Sequence, residues 1–176
     1  MPVSEARDHL DGPADAAVTV VEYGDYECPY SGIAYPIIKE LKARMGSRLR
    51  LVFRNFPITA PHPHAEQAAE AAEAAAAQGK FWEMHDVLYE NQRRLGDKDL
   101  LAYAERLGLD AERFDRELAE HVHAGRVRED FLSGLQSGVE GTPTFYINGE
   151  QHAGSYELEP FQAALERAAA LPSGRR

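Results

Sequence analysis

Apolar positions along this chain fall into three regimes. The first is short and β-branched: "AVTVVEY", residues 17–23, stands between turn residues and reads as a buried strand, the first ordered signal in the chain. "LRLVFRNF", residues 49–56, repeats that pattern. Between the two, "CPYSGIAYPIIKELKARMG" places Ile33, Ile37, Leu41 and Met45 at helical spacing, has basic residues in its last turn and closes on Gly46. It predicts a helix opening at Cys28. Pro36 falls inside it and predicts a kink rather than a stop, because the apolar stripe continues beyond. Strand, helix, strand in so short a span is a βαβ unit, with parallel strands and a right-handed crossover.

The second regime runs from Pro61 to Gly138 and is helical in period. "AEQAAEAAEAAAAQ" has high helix propensity, and its small side chains allow close packing. "KFWEMHDVLYENQ" carries Phe81, Trp82, His85, Leu88 and Tyr89 on one face, read as core. Asp97, Asp99 and Asp110 are plausible helix starts, and Gly96, Gly108 and Gly138 plausible ends. His121 and His123 read as a solvated helix face. Strand signals then return in "TPTFYINGEQHAG", where Asn148-Gly149 marks a two-residue hairpin turn. A last helix, "ELEPFQAALERAAALP", puts Phe161, Leu165 and Ala168 on one side, before a polar "SGRR" tail expected to fray. The order is β-α-β, a helical block, then β-β-α, which is an α/β fold.

Composition narrows the function more than the fold. With 176 residues, 44% of them hydrophobic, the chain can bury one core and carry a sub-domain. Nineteen basic against 29 acidic residues give a net charge of -10, which repels phosphate backbones and anionic lipid. Neither nucleic acid nor a membrane is an expected partner. "MPVSEARDHLDGPADAAV" lacks an apolar run flanked by positive charge, so the chain as written is expected in the cytoplasm, or in the periplasm or outside if a leader was removed. His62 and His64 in "APHPHAE", with Glu66, invite a metal reading; in a proline-broken loop with no cysteine partner they read better as a loop and helix start. No metal and no cofactor is expected.

Cys28 is the only cysteine, so the chain can form no internal disulfide. In an open sheet with parallel strands, chemistry sits beyond the carboxyl ends of the strands, where a helix points its free N–H groups outward, and Cys28 stands at that junction. A thiolate there is stabilised by the helix dipole, typically by about 0.3–1 kcal/mol, so direct hydrogen bonds to sulfur have to supply more. Ser31, one turn on, is a candidate donor. Glu22, Asp25 and Glu27 oppose the effect if they approach ionised.

On these residues the chain resembles the DsbA-like thiol:disulfide oxidoreductases of the thioredoxin-fold superfamily. The resemblance is carried by "VEYGDYECPYS" at a strand-to-helix junction, by the helical "FWEMHDVLYENQ", and by the later "GVEGTPTFYING". It implies a thioredoxin fold with an all-helical insertion: residues 12–60 and 139–176 form the thioredoxin-like domain and 61–138 the insertion. Cys28 is then the nucleophile of a C-x-x-C motif, Pro29 and Tyr30 its variable pair, and Ser31 stands at the resolving position. Glu22 matches a buried acid that assists proton transfer, although a satisfied structural carboxylate is an equal reading. Thr142 and Pro143 match a cis-proline loop that faces the sulfur and pairs with bound peptide. The partners implied are protein thiols and disulfides.

The departure is Ser31, which cannot resolve a mixed disulfide. Release from Cys28 then needs an external thiol such as glutathione or a partner protein. Two origins fit: a natural monothiol variant, or a Cys-to-Ser substitution that traps or inactivates a dithiol enzyme. Two other functions remain open at this stage. One is a kappa-class-like glutathione transferase or isomerase, and the other a non-enzymatic peptide-binding module on the same fold.

Overall fold

The computed structural model describes residues 2–171. In chain order the elements are β1 (His9–Asp11), β2 (Val18–Gly24), α1 (Pro29–Met45) with a short 3-10 turn after it, and β3 (Leu49–Asn55). Five helices follow: α2 (Ala65–Ala76), α3 (Phe81–Glu90), α4 (Asp97–Arg106), α5 (Ala111–Ala119) and α6 (Ala124–Ser137). The chain returns to the sheet as β4 (Thr144–Ile147) and β5 (Glu150–Gln151) and ends in α7 (Leu158–Ala170). The "SGRR" tail lies outside the described residues.

The sheet order is β1-β3-β2-β4-β5. β2 and β3 are parallel, with Val20 opposite Leu51, as the βαβ reading requires. β4 runs antiparallel to β2, and the hairpin to β5 turns at Asn148 and Gly149, whose φ values of 49° and 90° both lie in the left-handed region. β2 is covered on both sides: Val18 and Val20 pack with Leu41, Phe145 and Phe161 under α1 and α7, while Val21 and Tyr23 pack with Phe56 and Val139 on the other face. That double burial is why β2 reads as an unbroken β-branched run.

The first correction concerns the amino-terminal segment. The apolar pattern marks no strand before Ala17, yet β1 pairs antiparallel with β3, Leu10 opposite Val52. Its hold is polar. Asp8, beside the strand, accepts two hydrogen bonds from the buried Arg54 guanidinium, at 2.9 and 2.8 Å, and Arg54 Nη1 donates to Tyr23 Oη at 2.8 Å. His9 stacks on Phe81 with ring centroids 3.5 Å apart and reaches Glu73 at 2.9 Å. A three-residue strand held by charged partners leaves no apolar period to read.

A second correction concerns α1. Its buried face is Ser31, Ala34, Ile38, Leu41 and Met45, and Ile33 is 57% exposed. Ile33 is therefore turned away from the true face, while Ile37 is half-buried at its edge and still packs against the core. The helix passes through Pro36 without interruption.

The helical block follows its spacing closely. Asp110 caps α5 by accepting from Arg113 N, and Gly138 ends α6 at φ 88°. Gly96, expected at a helix end, instead stands at the start of α4. The alanines of α2 are nearly all buried, letting α3, α4, α5 and α6 approach it. Glu70 and Glu73 of the same helix are buried too, and their carboxylates lie within 2.9 Å of His121 and His9. His121 and His123 sit in the turn between α5 and α6 rather than on a helix face, each beside a glutamate.

The Asp8–Arg54 pair yields a measurable consequence. Burial alone would raise the Asp8 carboxyl, but the Arg54 hydrogen bonds and the Ser4 N–H hold it below the ordinary aspartate range. Asp8→Ala leaves the guanidinium buried without its carboxylate, and urea denaturation at pH 7 is expected to show a loss of about 3–5 kcal/mol. In the parent chain this contribution is present above the ordinary aspartate range and fades as pH falls through the lower folded value.

Candidate functional site

β2 ends at Gly24, and the four residues that follow turn the chain into α1 with Cys28 at its N-cap position. Asp25 organises that turn. Its Oδ1 accepts from Glu27 N at 2.8 Å and Cys28 N at 3.2 Å, and its Oδ2 accepts from Ile58 N at 2.9 Å and lies 2.8 Å from His62 Nδ1. Gln92 Nε2 adds hydrogen bonds to the carbonyls of Tyr26 and Cys28, both at 2.9 Å. Glu27 points to the same neighbouring loop, its carboxylate 2.9 Å from His64 Nδ1. Asp25 and Glu27 are thus engaged by backbone and histidine partners. His62 and His64 are anchors of the Cys28 loop, the latter preceding α2 directly, which explains the two histidines in a proline-broken segment. Among the described residues, no group of three or more histidine, cysteine or acidic side chains is placed to hold a metal ion.

Cys28 is 4% exposed, and its side chain caps no helix N–H. Its Sγ instead lies 3.3 Å from the Thr142 carbonyl oxygen, to which it donates. A carbonyl is an acceptor, so the expectation of direct donors at the sulfur gives way to a contact that only the thiol can make. Ser31 is likewise corrected as a donor to sulfur: it is fully buried, and its Oγ accepts from Asp25 N at 3.4 Å. The Thr142-Pro143 peptide is cis, and the buried Thr142 Oγ1 has no hydrogen-bond partner. Pro29 and Tyr30 begin α1, and Tyr30 and Ile33 are largely exposed.

Glu22 lies on the face of β2 shared with Val20, turned toward α1. It is 2% exposed and its Oε1 has no hydrogen-bond partner. Burial alone pushes its carboxyl up to about 8, so it stays protonated at neutral pH. Beside it, burial pushes His85 down to about 3, with Lys39 and His9 adding to the effect, and leaves the imidazole neutral. His85 Nδ1 lies 3.1 Å from Tyr26 Oη.

Comparison with known proteins agrees with this geometry. The thioredoxin family model matches residues 4–167. The chain belongs to the thioredoxin family. Among solved structures it is similar to BdbD from Bacillus subtilis in its oxidised form, with a TM-score of 0.85 and 22% identity over 94% of this chain and 95% of that one. It is also similar to a thioredoxin-like oxidoreductase from Silicibacter pomeroyi, with a TM-score of 0.83 and 28% identity over 96% and 95%. A curated relative, named Na(+)/H(+) antiporter NhaA 3 of Salinispora tropica, is 52% identical over 165 residues, which are 94% of this chain and 25% of that protein. The chain spans about a quarter of the length of the curated relatives it matches.

Within this thioredoxin-family chain, the residues named from sequence separate into two groups. Cys28, Pro29, Tyr30 and Ser31 adjoin at the start of α1, and Thr142 and Pro143 come to the sulfur from the loop before β4. Glu22 lies apart from them on β2, near the buried Tyr26 and Tyr89, whose hydroxyls burial first, and acidic neighbours second, hold protonated. Sequence reasoning missed Gln92 and the clamping role of Asp25, which no local pattern marks. It also missed Tyr156, a hydroxyl raised first by burial and then by the neighbouring Cys28 and Tyr30.

Two outcomes follow. Asp25→Ala strands the backbone N–H groups of Glu27 and Ile58, while Cys28 N keeps its hydrogen bond to the Asp25 carbonyl, and is expected to destabilise the chain by about 2–6 kcal/mol in urea, at roughly 1–3 kcal/mol for each group left unsatisfied. Glu22 makes the opposite kind of pH dependence from Asp8. Between its ordinary 4.5 and about 8, the folded chain keeps a proton that the unfolded chain has released, so stability falls as pH rises through that window. Urea denaturation at pH 5 and pH 9 is expected to show a loss of up to about 4 kcal/mol that Glu22→Gln does not share, at about 1.36 kcal/mol for each unit of pKa.

Proposed function

We propose that this chain is a thiol-disulfide oxidoreductase that forms mixed disulfides with protein substrates through Cys28. The observation that carries the reading is the sulfur at a helix start, 3.3 Å from the carbonyl of a cis Thr142-Pro143 peptide, with an exposed tyrosine and isoleucine beside it. An extended peptide laid along the Thr142-Pro143 backbone brings a substrate disulfide to Cys28. The Cys28 thiol loses its proton to solvent, the resulting thiolate attacks one substrate sulfur, the new S–S bond forms as the old one breaks, and the departing thiolate takes up a proton from solvent. In that step the sulfur gives up its hydrogen bond to Thr142.

Ser31 determines what happens next. Its hydroxyl has no sulfur with which to displace the substrate, so an external thiol attacks the mixed disulfide and regenerates Cys28. Glutathione and a second protein thiol are both competent. Glu22, neutral at pH 7, is the acid assigned to proton exchange in this cycle.

The length relation to the antiporter relatives bears on partners. No helix among the described residues is long and apolar enough to cross a membrane.

The test uses a peptide disulfide and mass spectrometry of the intact chain. The chain as it stands is expected to accumulate the mixed disulfide on Cys28 until glutathione is added. Ser31→Cys is expected to release the peptide thiol and close an internal disulfide between Cys28 and the introduced cysteine, and Cys28→Ala to give no adduct. Failure of both the parent chain and Ser31→Cys to attack the peptide would sink the reading.

A further inference from the structure

The two oxygens of the Asp25 carboxylate face different parts of the chain. Oδ1 takes the N–H groups of Glu27 and Cys28, at 2.8 and 3.2 Å, and Oδ2 takes the Ile58 N–H at 2.9 Å and lies 2.8 Å from His62 Nδ1. Backbone N–H groups can only donate, so both oxygens serve as acceptors here. A ring nitrogen that meets such an oxygen is itself a donor, and His62 therefore carries a proton on Nδ1 in its neutral and its charged form alike. The Asp25 side chain is sealed from solvent while that of His62 is 15% exposed, which leaves Nε2 as the nitrogen open to water. Nε2 can take up a proton from water while Nδ1–H stays on Asp25. The hydrogen bonds are the same in both states, and only the charge of the pair changes, from one net negative charge to none.

This pair stands directly behind the nucleophile. Cys28 N shares its hydrogen between the Asp25 carboxylate and the Asp25 carbonyl, both at 3.2 Å, and the sulfur belongs to that same residue. A like charge so near disfavours a thiolate. We propose that His62 is a positioning residue for the Cys28 thiolate: through Asp25 it holds the turn, and when protonated at Nε2 it offsets the carboxylate charge that the sulfur otherwise meets. The sulfur's own contacts do not supply that help, because its side chain caps no helix N–H and faces the Thr142 carbonyl. The other titratable groups around the turn leave the role to His62. Glu27 is paired with His64, yet those side chains are 20% and 50% exposed and screened by water and salt. Glu66, which opens α2, is exposed, and Asp130 of α6, which receives Asn55 N, is paired with Arg126. Glu22 on β2 keeps its proton, as do Tyr89 of α3 and Tyr156, the latter a neighbour of both Cys28 and Tyr30. One consequence rests on the thiol-disulfide function: attack on a substrate is favoured on the acid side of neutrality, where His62 is charged.

Alkylation by iodoacetamide tests this role without any disulfide, since Cys28 is the only thiol in the chain. Rates are followed by mass spectrometry of the intact chain at pH 5.5 and pH 9, below and above the ordinary histidine midpoint of about 6.5. His62→Asn offers Asp25 a neutral amide N–H in place of the ring. It is expected to slow alkylation about tenfold at pH 5.5, the thiolate fraction lost for roughly one pKa unit, and to come within about twofold of the parent at pH 9. His62→Gln gives a second neutral donor should the first variant fold poorly. Nitrogen-15 NMR of the parent chain, which needs no variant, is expected to show the neutral His62 ring protonated at Nδ1. Slowing of equal size at both pH values would reduce His62 to a structural brace and overturn the proposal. So would an unchanged rate at pH 5.5, or a neutral ring protonated at Nε2. A chain that alkylates with the expected pH dependence but attacks no peptide disulfide would sink the oxidoreductase reading and leave the role of His62 standing.

Discussion

The antiparallel register between β2 and β4 is the constraint on which the site depends. Tyr23 stands opposite Thr144, so the loop leading into β4 arrives beside the turn that leaves β2, and Thr142 meets Cys28 across 114 residues of chain. A slip of one residue would turn every β4 side chain to the other face and move the Thr142 carbonyl off the sulfur. Phe145, buried between β2 and α7 against Phe161, opposes such a slip by holding β4 to its face.

Around that register the molecule uses carboxylates in two ways. Asp8 and Asp25 are buried with full sets of donors and act as fasteners, one tying the amino-terminal segment to β3 and the other tying the Cys28 turn to the loop beyond β3. Glu22 is buried with an oxygen that has no donor, and burial raises its carboxyl so that it keeps its proton. The difference lies in the neighbours: Arg54 and backbone N–H groups face the aspartates, while Val20, Leu51 and aromatic rings surround the glutamate. A paired carboxylate favours its charged form, and an unpaired one in an apolar wall loses it.

The helical block contributes more than bulk. α3 supplies one wall of a cleft that Glu22 also lines, through Trp82, His85 and Asp86, and Gln92 in the turn that follows braces the Cys28 carbonyl. α6 approaches β3 closely at Gly134, where an added Cβ would come within 2.6 Å of the Phe56 ring. The sheet and the helices between β3 and β4 therefore share the site.

Local order is written plainly in the chain. The β-branched run of β2, the helix opening at Cys28, the Asn148-Gly149 hairpin and the Asp110 cap all depend on neighbours within a few residues, and those are what periodicity and capping rules read. The cysteine's place at a strand-to-helix junction is legible for the same reason. Tertiary structure alone decided which face of α1 is buried, that His9–Asp11 joins the sheet, that Glu70 and Glu73 of an alanine-rich helix lie inside, and that the sulfur faces a carbonyl rather than a donor. Each of those outcomes is set by a partner tens of residues away, and the cost or gain of burying a polar group depends on that partner rather than on the residue itself.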